Sequence, residues 1–586
     1  MQPAPPASER WAAGVLVAVA ALPLLSLLVG DGPWLGEPGS ELPVKIWSWH
    51  TSPPGPHLLG GSALGIAFPL HGVLDNPDIM GSLVTGLFWP LLGGPAAWAT
   101  LLYLQLLANA LAMFVLVRAL TGSARAAVVG GAAWALTPFT LTYGVASSIA
   151  DVLNLWPYPL VLHFGLRALH TGWRDGLAAG VLVGIGFATC AYNVLVFAPL
   201  VIPILVGVGL AHGRLAYGGP HSPPRLRMAA FAVGAAVVGV AAVAVPLVLE
   251  RRALMEDAGS LMSTDQVEST RHVAPYPSLH PDTEGHYAAP LAEYLAVGKG
   301  ALSVRDNAAR FLRAYNPGLV VLALAVLATL RGGRRRGATW PWWLVVGFFA
   351  LASAGPYLVW KGGHALSGPY NLVWLGLHHG FPGSRMLLEP FRYALAVALG
   401  ASVLAGFGAS LLVRRWGTAG MVGALALVLL DLVLLSAVPV PLPTQALPPP
   451  SWAGEVDALM GPGAILDLPF TRLGTKVYNR DHFTRHLAHG RPIPDEVRGT
   501  LPRFIEERPL LRALVDQEVA PAPEPGSEPL PASFGEELRA VGIAAVVLRP
   551  SLYLTPGHAT AAQAQLSTLG APVVRGDELI YVLVAP

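Results

Sequence analysis

Long uncharged stretches alternate with short breaks that carry arginine over the first three quarters of the chain. They run from Trp11 to Gly30, 79 to 117, 126 to 150, 152 to 166, 176 to 211, 228 to 249, 314 to 330, 337 to 360 and 393 to 413. A last one, from Gly417 to about Val438, is interrupted only by Asp431. A helix that crosses a bilayer needs roughly 20 apolar residues, so each stretch predicts a span, and two are too long for one helix. The stretch 79 to 117 holds Trp89, Pro90, Gly93, Gly94 and Pro95, which predicts a surface or re-entrant piece to about residue 91 and a span from about residue 96. The stretch 176 to 211 is expected to break near Tyr192 and Asn193.

Arginine placement orders these spans. Arg118 and Arg125, Arg167 and Arg174, Arg214 with Arg225 and Arg227, Arg331 with Arg334 to Arg336, and Arg414 with Arg415 form five clusters. If all five are cytoplasmic, as the positive-inside rule asks, about eleven spans result, with the N-terminus inside. The outer face then receives loops 30–95, 250–312 and 361–391, the turn near Asp151, and everything after residue 440. No small-residue cleavage site follows Trp11 to Gly30, so this run reads as a retained span rather than a removed signal peptide.

Beyond the last stretch the pattern changes. A proline-rich linker over 441–452, which begins inside VPVPLPTQALPPP, is expected to be extended and semi-rigid. Residues 453–586 then read as a small α/β domain, with strand-like runs at Ala464 to Leu468, Ala544 to Leu548 and Leu579 to Val584. Helical patterns lie at Phe534 to Val541 and Ala559 to Leu569. The fold class is therefore mainly α: a polytopic membrane domain over 1–440 and a C-terminal extracytoplasmic α/β domain.

Composition sharpens this picture. At 53% hydrophobic and 12% charged residues the chain is too apolar for a soluble protein of 586 residues. A net charge of +2 gives no basis for a nucleic-acid partner. Of 37 basic residues only Lys45, Lys299, Lys361 and Lys476 are lysine, which with the abundant Ala, Gly and Pro suggests a GC-rich bacterial genome and a bacterial inner-membrane location. The single cysteine, Cys190, provides neither a disulfide nor a cysteine metal site.

Candidate chemistry gathers on the outer side. Asp31, Glu37, Glu41 and Lys45 share a stretch with Trp34, Trp47 and Trp49, so Glu41 is either the acidic end of a site or the i,i+4 partner of Lys45 on a surface helix. Asp75 and Asp78 flank Asn76 and Pro77; they could bind a sugar or a divalent cation, or form a turn with an N-cap. Asp151 falls between two predicted spans, where a charge is costly unless hydrogen-bonded or wetted. Its other role is to cap the following helix. Arg385 and Arg392 can hold a phosphate by bidentate contacts or snorkel to headgroups. Lys361, His378 and His379 share that loop. His280, Asp282 and His286 have loose metal-like spacing among Pro and Gly, and no metal site is assigned to them. Asp431 reads as an interhelical anchor.

The stretches ELPVKIWSW, LDNPDIMGSLVTGLFWPLLGG, ALTPF, SSIADVLNLWPYPLVL and EPFRYALAVALGASVLAGFG, with AILDLPF, HGRPIPDE and LRAVGIAAVVLRP in the tail, occur in an order that resembles the YfhO-like bacterial branch of the GT-C superfamily. These are membrane glycosyltransferases that use polyprenyl-phosphate sugars. The resemblance implies a lipid-linked sugar donor, membrane lipids around it, and a glycan, lipid or protein acceptor outside the membrane. It implies that Glu41, at a position usually held by Asp, acts as general base toward the acceptor hydroxyl, with Asp75, Asp78 or Asp151 assisting. Arg392, and with it Arg385, would hold the carrier phosphate, with His378 nearby. Two alternatives stand beside it: a non-catalytic scaffold in envelope polysaccharide assembly, and a small-solute transporter, to which Asp431 and the break at Tyr192 point.

Overall fold

In a computed structural model, the structure describes residues 7–51, 78–204, 233–249, 289–331 and 336–360 and, in pieces, 369–583, with short gaps inside these ranges. Asp75, His280, Asp282, His286, Lys361 and Arg385 lie outside the described residues.

Among the described residues, three helical stretches are long and apolar enough to cross a membrane: Arg10–Leu28, Gly94–Thr121 and Pro390–Leu434. Shorter apolar helices include Met80–Leu92, Ala191–Ile204, Val233–Pro246, Leu319–Arg331 and Ala338–Ser353. In chain order, α1 is Ala7–Ala21, α2 Leu42–Thr51, α3 Ile79–Leu92, α4 Gly94–Thr121, α5 Ala124–Ala135, α6 Pro157–Thr171, α7 Trp173–Thr189 and α8 Ala191–Phe197. There follow α9 Leu319–Arg331, α10 Arg336–Ser353, α11 Leu372–Gly380 and α12 Ala394–Leu434. The break between α3 and α4 falls on Gly93, whose φ of 78° suits glycine. The break expected near Tyr192 falls at Cys190, which is extended between α7 and α8. α12 is kinked at Gly417 (φ 59°, ψ −132°), which separates two helical arms.

One expectation is corrected. The stretch 126 to 150 is not one helix: α5 ends at Ala135, and Thr137 precedes Pro138, which disfavours helical backbone there. A π-turn at Thr140–Ala146, Ser148 at φ 59° and a 3-10 turn at Ala150–Leu153 follow before α6. This irregular backbone is buried, so its polar groups need partners. Side chains from the helices supply them. Gln105 and Asn109 of α4 donate to the carbonyls of Ala150 and Leu153, both at 2.9 Å, and Asn193 of α8 donates to that of Val152 at 3.1 Å. Asp431 accepts the Val320 amide at 2.9 Å and so caps α9 from α12.

The linker does not run free. Strand β1 (Trp34–Leu35) pairs antiparallel with β4 (Thr444–Gln445), and the Gln445 amide donates to the Glu37 carbonyl (3.1 Å) and Ser40 Oγ (3.2 Å). Between them in sequence lies a hairpin of β2 (Ser303–Asn307) and β3 (Ala309–Arg313). The C-terminal residues form a four-stranded sheet of β5 (Ala464–Leu468), β6 (Ile543–Leu548), β7 (Val573–Arg575) and β8 (Glu578–Val582) in the order β5-β6-β8-β7, with β5 and β6 parallel. Apolar runs rich in Ile, Val and Leu fill β5 and β6, which are buried throughout. Helix α13 (Asp481–His489) packs on α2, with Leu487 against the cluster that contains Leu42 and Ile46.

α13 carries His482, His486 and His489, all buried. His489 stacks on Trp452, and its Nδ1 accepts the Arg491 amide at 3.0 Å. Burial, helped by the charges of Arg485 and Arg491, lowers its pKa to about 3. Unfolded, the imidazole titrates near 6.5, so below that pH the unfolded chain binds a proton that the folded chain refuses. Stability is therefore lost as pH falls from 6.5 toward 3, by up to about 1.4 kcal/mol per pH unit. Melting between pH 6.5 and 5 is expected to show that slope in native protein and a shallower one in His489→Phe; equal slopes would rule out this assignment.

Candidate active site

The irregular segment 136–156 meets the stretch between α1 and α2. The Glu41 amide donates to the Ser147 carbonyl (3.2 Å) and the Glu37 amide to that of Ala146 (2.7 Å), while Ser40 Oγ donates to Ser148 Oγ at 3.1 Å. These bonds fix Glu41, half-buried, at the N-terminal boundary of α2. One turn on, Lys45 reaches Asp151, Nζ to Oδ1 3.0 Å. Lys45 is thus ion-paired across the fold, beyond the i,i+4 pairing with Glu41 that spacing alone suggests.

Asp78 completes this group. Its Oδ1 accepts the Gly81 amide (2.9 Å), which caps α3, and the Asn154 side-chain amide (3.1 Å). The cap reading of Asp78 therefore holds, and its carboxyl also lies within electrostatic reach of Asp151. Its Oδ2 is buried without a hydrogen-bond partner among the described residues. Burial pushes the Asp78 carboxyl up to about 7; the Asp151 charge adds to this, while the Gly81 amide, Lys45 and Asn154 oppose it. Lys45, Asp78 and Asp151 are 8%, 5% and 5% exposed, so their charges act on one another with little solvent screening.

A cationic group adjoins it. Arg392 lies on the 3-10 turn Pro390–Tyr393 that opens α12, ion-paired with Glu389 and donating to Tyr143 Oη at 3.1 Å. Its guanidinium carbon sits 4.6 Å from the centre of the Tyr192 ring. Arg392 Nε and Nη1 are buried with no acceptor among the described residues. Arg313, at the end of β3, places its guanidinium 3.8 Å over the Phe391 ring and 5.7 Å from that of Tyr143. Cys190 joins the two groups: its Sγ is 3.8 Å from Asp151 Oδ2, and it lies within electrostatic reach of Arg392.

Sequence reasoning reached Glu41, Asp78, Asp151 and Arg392, and the structure brings Asp78 and Asp151 together. It places His378 elsewhere in character, on α11, stacked 4.6 Å on Trp374 and edge-on to His379. Lys45 as partner of Asp151, Arg313, Tyr143 and Glu389 were missed. Only Glu389 carried a signal, three residues before Arg392. Among the described residues no group of three or more His, Cys, Asp and Glu could hold a metal ion. A groove of about 470 Å³ lined by Leu24, Pro33, Ala99 and Tyr103 lies on the face of α4 opposite Trp98 and Gln105, away from the carboxylates.

Residues 75–246 match the family model described as dolichyl-phosphate-mannose-protein mannosyltransferase, a segment that contains Asp78, Asp151 and Cys190. No curated protein matches the sequence. Among solved structures, one of arabinofuranosyltransferase AftD from Mycobacteria is similar at 16% identity and a TM-score of 0.50, over 99% of this chain and 42% of that one. The Archaeoglobus fulgidus oligosaccharyltransferase is similar at 13% identity and a TM-score of 0.45, over 92% and 69%. ArnT from Cupriavidus metallidurans, solved with undecaprenyl phosphate, is similar at 15% identity and 0.40, over 98% of each chain. The chain thus spans less than half the length of the AftD structure whose fold it shares. That likeness is one of fold, and the mannosyltransferase match adds to it over residues 75–246.

Proposed function

We propose that the protein transfers a sugar from a polyprenyl-phosphate carrier to an acceptor hydroxyl outside the membrane, with inversion at the anomeric carbon. The observation that carries this reading is Arg392, whose guanidinium has two buried nitrogens, Nε and Nη1, with no acceptor among the described residues, and which is joined through Cys190 to the carboxylates Asp78 and Asp151. Such a guanidinium is suited to a phosphate oxygen, and Arg313 adds a second positive charge beside it.

In this reading the acceptor O–H gives its proton to Glu41 as its oxygen bonds to the anomeric carbon. The bond from that carbon to the phosphate oxygen breaks in the same step, and its electron pair leaves on the carrier phosphate. Arg392 and Arg313 meet the charge that develops there. Asp78 and Asp151 shape the polar space between base and phosphate. The eleven-span topology, with the N-terminus cytoplasmic and residues 453–586 outside, puts all of these groups on the outer side. The mannosyltransferase match supports the donor class, because that family is described by a lipid-phosphate sugar. The YfhO-like branch fits the order of the sequence stretches.

The test is transfer of radiolabelled sugar in proteoliposomes from a panel of polyprenyl-phosphate pentoses and hexoses to added acceptors. Transfer from at least one donor is expected. If no donor supports it while a control glycosyltransferase is active in the same vesicles, the scaffold reading replaces this one. Saturable solute uptake by those vesicles would point to the transporter instead.

A further inference from the structure

The carboxylates of the candidate site face a lysine, and the lysine is held there by the fold. Lys45 comes from α2, Asp78 from the cap of α3 and Asp151 from the turn before α6, so three separate elements converge on one ammonium. We propose that Lys45 is the resident cation of this centre, standing where a divalent metal would otherwise draw Asp78 and Asp151 together, so that the native site neither needs nor binds such an ion.

The count of free oxygens supports this. An oxygen-liganded divalent cation takes six or more ligands, with Mg²⁺ at about 2.0–2.1 Å, and several must come from the protein or substrate. Of the four carboxylate oxygens here, Asp78 Oδ1 is spent on the Gly81 and Asn154 amides and Asp151 Oδ1 on Lys45. Asp151 Oδ2 faces the Cys190 thiol. Asn154 Oδ1 accepts from the Gln105 amide at 3.3 Å. That leaves Asp78 Oδ2 as the open carboxylate oxygen of the set; the amide oxygens Gln105 Oε1, Asn109 Oδ1 and Asn193 Oδ1 are also buried without a partner among the described residues, but they are neutral and add no charge to hold a divalent ion. A lysine ammonium suits this arrangement better, since it is a compact point charge with three donors and no fixed ligand geometry. Two carboxylates with one ammonium leave the centre with at most one negative charge, and less where Asp78 holds a proton, whereas a bare ionised pair would repel. The inference deepens the transfer reading, because it concerns the same site, but its primary measurement does not depend on transfer.

The experiment is Mn²⁺ binding followed by electron paramagnetic resonance on purified full-length native protein, Lys45→Ala, Asp78→Asn and the double variant. Native protein is expected to hold no Mn²⁺ that Asp78→Asn removes. Lys45→Ala is expected to gain one bound Mn²⁺, at least about tenfold tighter than any native binding because a positive charge beside two carboxylates is gone. The double variant is expected to lose it. A native Mn²⁺ that Asp78→Asn displaces overturns the proposal, and so does a folded Lys45→Ala protein that gains none. If Lys45→Ala does not fold, the native arm decides alone. In the transfer assay, chelator should leave native activity unchanged, and added Mn²⁺ should restore part of the activity that Lys45→Ala loses. Binding as expected without any transfer sinks the transfer reading and leaves this one standing.

Discussion

Glu41→Gln is expected to lower kcat for sugar transfer by about 10²- to 10⁴-fold, the range that a positioned general base contributes, with donor KM little changed. Gln keeps the shape of the side chain and removes only its ability to take a proton. The position itself is held by backbone, through the Glu41 amide on Ser147 and the Glu41 carbonyl accepting the Lys45 amide at 3.0 Å, so the substitution leaves that anchoring intact. Glu41→Asp separates chemistry from reach: it keeps the base and withdraws it by about one methylene. A displacement near 1 Å can cost about 10²-fold, so this variant should fall between native and Gln. Single-turnover transfer measures both. If Gln transfers within a few-fold of native, Glu41 is not the base, and Asp78, with its open oxygen, becomes the group to change next.

Much of this arrangement is legible in the sequence where local chemistry decides it. Pro and Gly mark the break between α3 and α4, and runs rich in Ile, Val and Leu mark β5 and β6. Asp151 and Arg392 stand out because charges beside apolar stretches are costly unless they serve a purpose. What escapes is decided at long range. The segment 136–156 is irregular because Gln105, Asn109 and Asn193, on two other helices, satisfy its carbonyls, and nothing within the segment announces them. Lys45 has Glu41 at helical spacing, so local reasoning pairs those two, and nothing local tells that the fold also delivers Asp151 to its ammonium. The linker looks like a spacer until β1 pairs with β4 and Gln445 reaches the backbone at Glu37. Arg313 sits at the end of a long polar stretch before α9, where an arginine draws no notice in sequence; the hairpin β2 and β3 is what carries it onto Phe391.

Arg392→Ala is expected to cut transfer by about 10²- to 10³-fold, the usual effect of removing one donor from a site that stabilises developing charge. The loss should fall mainly in kcat. In the ground state the phosphodiester of the donor carries one negative charge, and as the sugar departs that phosphate gains a second, so a guanidinium there binds the transition state more tightly than the substrate. Arg392→Lys should recover only part of the loss, because an ammonium keeps the charge but lacks the planar fork that leaves Nε and Nη1 open beside the Tyr143 and Glu389 contacts. Ala need not unfold the site: Arg313 lies within electrostatic reach of Glu389, so that carboxylate keeps a positive neighbour when Arg392 is gone. Melting of the purified variants checks this, and kcat and KM for the lipid donor separate the two accounts of the arginine. If Arg392 only snorkels to lipid headgroups, Ala and Lys leave kcat within a few-fold of native, and the phosphate-binding role passes to Arg313. If kcat collapses in Ala, partly returns in Lys and the melting curves coincide, the open guanidinium edge is where the leaving phosphate is held.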